Sequence, residues 1–161
     1  MRISTWMLAC GIAALLAASL APAASAQTVA STLERWGLFG TWSEDCSRSP
    51  SPGQGGRLSY RPLQGGKVLH ERDFGTSRDS REILMAAIIP GGPIEIFASF
   101  EPVGGIRRWV FVKRPDGRIK TVENSRVDGT EATIESGRFR DGRETRWLSK
   151  CDGLRDQARG I

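Results

Sequence analysis

"RPDGRIKTVENSRVDGTEATIESGRFRDGRETRWLSKC", residues 114–151, is the stretch whose reading decides the fold. Asp-Gly recurs in it at Asp116-Gly117, Asp128-Gly129 and Asp141-Gly142. Each pair marks a hairpin, because it tolerates the positive φ that a type I′ turn demands. Strand-length segments lie between the turns, so the spacing predicts a meander of consecutive antiparallel hairpins. The same punctuation extends toward the N-terminus. "IRRWVFVKR" sets Trp109 and Phe111 against Val110 and Val112, and "IEIFASF" alternates Ile94, Ile96, Ala98 and Phe100 with Glu95, Phe97 and Ser99. "PVGG" and "PGGP" are the turns around them. "REILMAAIIP" is almost continuously apolar, and "KVLHERDF" places Val68, His70, Arg72 and Phe74 on one face with Leu69 on the other.

Adding "GTWSEDC" and a short strand near "RLSY" gives about eight strands, or nine. The expected fold is all-β: an antiparallel up-and-down barrel of about eight strands with a short N-terminal helix. Closure removes exposed strand edges, which favours a barrel; a two-sheet sandwich is the alternative. The helix is expected in "TVASTLERWG", capped by Ser31 or Thr32, with Leu33, Trp36 and Leu38 as its apolar contacts. "SRSPSPGQGG", residues 47–56, reads as a loop.

The N-terminus carries an address. Arg2 precedes the apolar run "WMLACGIAALLAASL", and "AASA" ends at Ala26. This is the pattern of a secretory signal peptide, residues 1–26, cleaved after Ala26 to leave one domain over 27–161. A retained membrane helix is the alternative, and Pro22 with the Ala-Ser-Ala tail fits cleavage better. A lipoprotein signal at Cys10 is set aside because the apolar run continues beyond that cysteine. The destination is the periplasm or the medium, with no stable membrane insertion after cleavage. Cleavage leaves Cys46 and Cys151, which in an oxidising compartment form a disulfide.

The formal charge is +5, and most of the basic residues are arginine. An anionic partner is one reading. The other is genomic base composition, favoured because the acids are interspersed and no long basic run occurs. Aromatic residues are too sparse for a nucleic-acid surface. His70 is the sole histidine, which removes most imidazole-based metal sites and leaves any catalytic triad a single ring to use. It reads as a partly buried structural residue. Glu71, Asp73, Asp79 and Glu82 lie among arginines and read as ion pairs on a solvated hairpin. "GQGG" and "PGGP" are turns, not phosphate loops. No enzyme, cofactor or metal is expected.

"GTW", Gly40 to Trp42, follows the short helical lead and opens the first strand. It resembles the Gly-x-Trp signature of lipocalins and other calycin-type barrels. That resemblance implies that Trp42 closes one end of the barrel and packs against an arginine from a late strand. Arg146 is the matching position, with Arg143 and Arg138 as alternates. In size the chain resembles avidin-like barrels and the periplasmic metalloprotease inhibitors. "WGLFGTWSEDCSRSPSP" also resembles uncharacterised secreted proteins of α-proteobacteria.

Binding remains as the function. An eight-stranded barrel either fills its interior with side chains or holds one small ligand. Ile94, Ile96, Phe100, Trp109 and Phe111 are the candidate interior residues. Three readings follow: a barrel binding a small apolar or amphipathic ligand; a protein-binding module, such as an inhibitor of an envelope or secreted hydrolase, with residues 27–34 as an inserting arm; and an envelope structural or stress protein without a pocket.

Overall fold

The computed structural model describes residues 28–51, 55–99 and 105–151. Residues 1–26, read above as a signal peptide, and Phe100 lie outside the described residues. Among these residues one antiparallel sheet holds ten strands: β1 (Gly40–Ser43), β2 (Arg57–Pro62), β3 (Val68–Asp73), β4 (Arg78–Ile88), β5 (Ile94–Ser99), β6 (Ile106–Lys113), β7 (Ile119–Arg126), β8 (Ala132–Glu135), β9 (Arg138–Phe139) and β10 (Ser149–Lys150). Strands β1 to β9 pair in sequence order, and β10 returns to pair with β1. The sheet is an up-and-down half-barrel with one short helix, as the turn spacing predicts. The strand number exceeds the expected eight because β9 and β10 are two-residue pieces that carry no apolar alternation to read.

The Asp-Gly hairpins form, but not as type I′ turns. Among the described non-glycine residues only Ser136 has positive φ, so the three aspartates cannot adopt that turn. Gly117, Gly129 and Gly142 instead take φ of 84°, 74° and 83°, and each donates its N–H to the carbonyl three residues back. Such a pattern closes a type I turn with a glycine in the left-handed position. The aspartate carboxylate then accepts the backbone N–H two residues on, from Arg118, Thr130 or Arg143.

Helix α1 (Val29–Trp36) starts earlier than expected, because Thr28 rather than Ser31 caps it: Thr28 Oγ1 accepts the Ser31 N–H at 3.1 Å. Gly37 ends it at φ 79°. The Trp36 indole N–H donates to the Gly92 carbonyl in the β4–β5 turn, at 2.7 Å. Lys113, at the end of β6, donates to the Trp36 carbonyl with its ammonium 4.2 Å from the Trp36 ring centre. A cation at the helix C-terminus is favourable. Burial, reinforced by the charge of Lys150, holds the Lys113 pKa below its ordinary value. The helix therefore sits over one rim of the half-barrel and sends Leu33 and Trp36 into its core, joined by Leu38 from the linker.

Alternation sorts the rest. Val68, His70, Ile83, Ile94, Ile96, Ala98, Trp109, Phe111 and Ile119 point inward and are buried. A bulge between Ile83 and Met85, and another in β7 opposite Val110 and Phe111, break the period of two. The first explains why adjacent Leu84 and Met85 are both exposed; the second makes Val122 the extra residue of β7, between Glu123 opposite Val110 and Thr121 opposite Phe111, and leaves β6 in regular alternation. The outer face carries cross-strand ion pairs, among them Arg61 with Glu71 and Arg108 with both Glu95 and Glu123.

The flanks of the half-barrel meet at a narrow seam. Ile119 and Leu148 exchange both backbone hydrogen bonds, at 3.0 and 2.8 Å. Immediately after, β10 pairs with β1 through Ser149 opposite Ser43 and Lys150 opposite Trp42. Cys151 donates its N–H to the Thr41 carbonyl at 2.7 Å. The Cys46–Cys151 disulfide lies at this seam, with Cα atoms 5.3 Å apart.

Candidate functional site

The β2–β3 hairpin builds the polar part of the interior. Its register sets Tyr60 opposite His70 and Leu58 opposite Arg72; the β3–β4 register sets His70 opposite Arg81 and Arg72 opposite Asp79. Residues opposite one another share a face. Since Tyr60 and His70 are buried at 1% and 0% exposure, that face is the inner one. Arg72 and Asp79 form a two-point ion pair, at 2.8 and 2.5 Å, beside them. Burial works to raise the Asp79 pKa, and the bonds and charge of Arg72 outweigh it, leaving the carboxyl below its ordinary value.

Aromatic rings cross the interior to meet this hairpin. The Tyr60 and His70 ring centres are 5.0 Å apart, His70 lies 5.2 Å from the Trp109 ring, and Phe111 meets Tyr60 edge-on at 6.0 Å. Ile94, Ile96, Trp109 and Phe111 are thus packed core in this structure, with the first two and Phe111 at 0% exposure.

Three polar atoms in this cluster have no hydrogen-bond partner among the described residues: the Tyr60 hydroxyl and both ring nitrogens of His70. An unmet buried donor or acceptor costs about 1–3 kcal/mol, so the cluster is an unusual feature in a small core. Burial, with a further contribution from Arg72, drives the His70 pKa down to about 3, and the imidazole is neutral at physiological pH. Burial also pushes the Tyr60 phenol well above its ordinary value, so it too is neutral. The cluster offers a hydroxyl and a neutral imidazole, each able to donate and accept, inside an aromatic wall.

Arg107 supplies a contrasting buried polar group whose needs are met. At 5% exposure it donates to Asn124 Oδ1 at 2.9 Å, to Glu131 at 3.1 Å and to Thr133 Oγ1 at 3.2 Å. It ties β6 to β7 and β8. Arg107→Ala is expected to lower unfolding stability in urea by roughly 3 kcal/mol, with Arg107→Lys recovering little because one ammonium cannot span three acceptors.

The cation–π role that the resemblance implies for Arg146 is filled otherwise. Lys150 lies over the Trp42 ring at 5.8 Å, while Arg146 reaches across the seam to Glu44. The position opposite Trp42 falls on β10, and Arg146 precedes that strand. Arg143 and Arg138 pair with Asp141 and Glu144. Trp42 is 2% exposed and donates its indole N–H to the Leu38 carbonyl at 2.8 Å. Gly40 takes φ 115°, a backbone conformation that glycine adopts readily.

The inserting arm expected over residues 27–34 is not free: Thr28 onward is capped helix, and Leu33 is fully buried. Tyr60 was not legible as a site residue, because only the hairpin register brings it against His70. A shallow cleft of about 350 Å³ on the same hairpins is lined by Arg57, Ser59 and Ser80 with Glu71 and the ion pairs Arg72–Asp79 and Arg78–Asp73. Among the described residues no helix is long and apolar enough to cross a membrane. The chain matches no protein family, no curated protein and no solved structure.

Proposed function

We propose that this chain is a non-catalytic binding protein of the periplasm or extracellular medium that takes a small apolar or amphipathic ligand inside its barrel. The observation that carries this reading is the unpartnered Tyr60 hydroxyl and His70 imidazole among aromatic rings. A ligand bearing one hydrogen-bonding group would meet needs that the protein leaves unmet, while its apolar part contacts Trp109 and Phe111. Entry requires the packed rings to part, so binding selects an opened form of the barrel. The disulfide supports a location outside the reducing cytoplasm.

Native mass spectrometry of the protein purified from its producing cells tests the reading. A bound small molecule is expected with the wild type and is expected to be lost from a Tyr60→Phe/His70→Leu double variant. An unliganded wild type, or equal retention by the variant, overturns it. The protein-binding alternative draws on one observation, the adjacent exposed side chains of Leu84 and Met85 on the outer face of β4. A protein that co-purifies with the wild type and is lost with Met85→Lys would favour it instead.

A further inference from the structure

The wall around the Tyr60–His70 cluster is not uniform. Strands β2 through β7 pair along much of their lengths, whereas among the described residues the backbone pairing that joins β1 to β7 runs through the short segment 148–150, with Thr145 Oγ1 on the Thr121 carbonyl and Arg114 over the Trp147 ring added on the β7 side. Within that segment one residue pair faces β7 and two face β1. Arg146–Glu44 is an exposed ion pair that adds little on its own. Among the described residues the one covalent tie across this weak line is Cys46–Cys151, and both cysteines are partly exposed.

We propose that Cys46–Cys151 is a redox latch on the seam, and that its reduction opens the wall between β1 and β7 and gives access to Tyr60 and His70. The chemistry is thiol–disulfide exchange with a dithiol. One thiolate of the dithiol attacks a sulfur of the protein disulfide, forming a mixed disulfide and releasing the other protein thiolate. The second dithiol sulfur then closes its own disulfide and releases the remaining protein thiol. The protein gains two electrons and two protons, and the dithiol loses them. Freed of the crosslink, residues 148–151 are held by a few backbone bonds and the Lys150–Trp42 contact, a short stretch of pairing that opens more easily than the long strands beside it. The latch regulates the site proposed above and rests on the reading of Tyr60 and His70 as the ligand-binding groups.

Because His70 is the only imidazole, its reactivity reports opening directly. Carbethoxylation by diethyl pyrocarbonate is followed by peptide mapping on the oxidised protein and on protein reduced with dithiothreitol in the cold. Far-UV circular dichroism and tryptophan fluorescence are recorded on the same samples. The latch predicts that reduction raises His70 modification by about tenfold or more while the β signal and the buried-indole emission persist, as for a local opening. Unchanged reactivity, or reactivity that rises only with loss of the β signal, overturns it. A second variant, Leu148→Pro, keeps both cysteines but removes the N–H that bonds Ile119. It is expected to raise His70 reactivity in the oxidised protein, and a variant as protected as the wild type overturns the seam as the route. Neither measurement uses a ligand. Failure of the ligand reading would show in native mass spectrometry, and failure of the latch would show here.

Discussion

Replacing Cys46 and Cys151 together by alanine is expected to lower the unfolding free energy by about 4–5 kcal/mol, a loss that denaturant titration would register as a large drop in midpoint. The bond spans 105 residues and so encloses nearly the whole described domain. Cross-linking so long a loop removes much of the conformational freedom of the unfolded chain. The folded state loses something too. Without the bond, β10 keeps its pairs with β1, the Lys150 contact with Trp42, the Cys151 N–H on Thr41 and the neighbouring Ile119–Leu148 bridge. A loss below about 1 kcal/mol would mean that the seam holds without its crosslink, against both the entropy argument and the latch.

Acid is expected to destabilise the protein in a window that carboxylates do not explain. His70 is depressed to about 3 in the folded protein, against an ordinary value near 6.5. Between those values the unfolded chain binds a proton that the folded chain refuses. The stabilisation is therefore complete above about pH 6.5 and erodes as pH falls toward 3, at about 1.4 kcal/mol per unit, or roughly 3 kcal/mol by pH 4.5. The upper part of that window lies above the range where ordinary carboxylates titrate. Asp79 is held below its ordinary value by Arg72, so its own contribution is lost lower still. His70→Leu removes the titrating group and two unmet polar atoms at once. It is expected to flatten the slope between pH 6.5 and 4.5 and to raise stability at neutral pH by about 1–2 kcal/mol. A variant that keeps the slope, or is less stable at neutral pH, would contradict the burial of an unpartnered imidazole.

Such a gain from deleting a polar group would also say why the group is there. Core residues selected for stability alone would not leave an imidazole and a phenol without partners. Groups that lower stability and sit together commonly serve binding.

Much of the fold could be read from local chemistry. The Asp-Gly pairs placed three hairpins, and alternation told which residues of β5 and β6 share a face, because a half-buried strand writes its burial into every second residue. The cysteine pair could be read because only two cysteines follow the apolar leader. What failed was nonlocal. The turn type depends on how strand twist is absorbed, and a glycine in the left-handed position with a type I turn meets the need as well as type I′. "REILMAAIIP" hid its bulge because a continuous apolar run has no period to break. Arg146 was misassigned because β10 is two residues long, so the position over Trp42 fell to Lys150. His70 stood out as the lone histidine, while Tyr60 became visible only through the register around the Gln64–Gly66 turn. Arg72 and Asp79 read as a solvated pair because their sequence neighbours are charged; the inner face they share with His70 is set by pairing, not by composition.

The state of His70 tests the account at its centre. Nitrogen-15 resonances of the single imidazole, followed on the folded protein from about pH 8 down to about pH 4.5, report its charge directly. A neutral ring throughout, with no titration while the fold persists, is the predicted result. A midpoint near the ordinary histidine value, with the β fold intact, would place His70 in contact with water and remove the buried site on which the binding function rests.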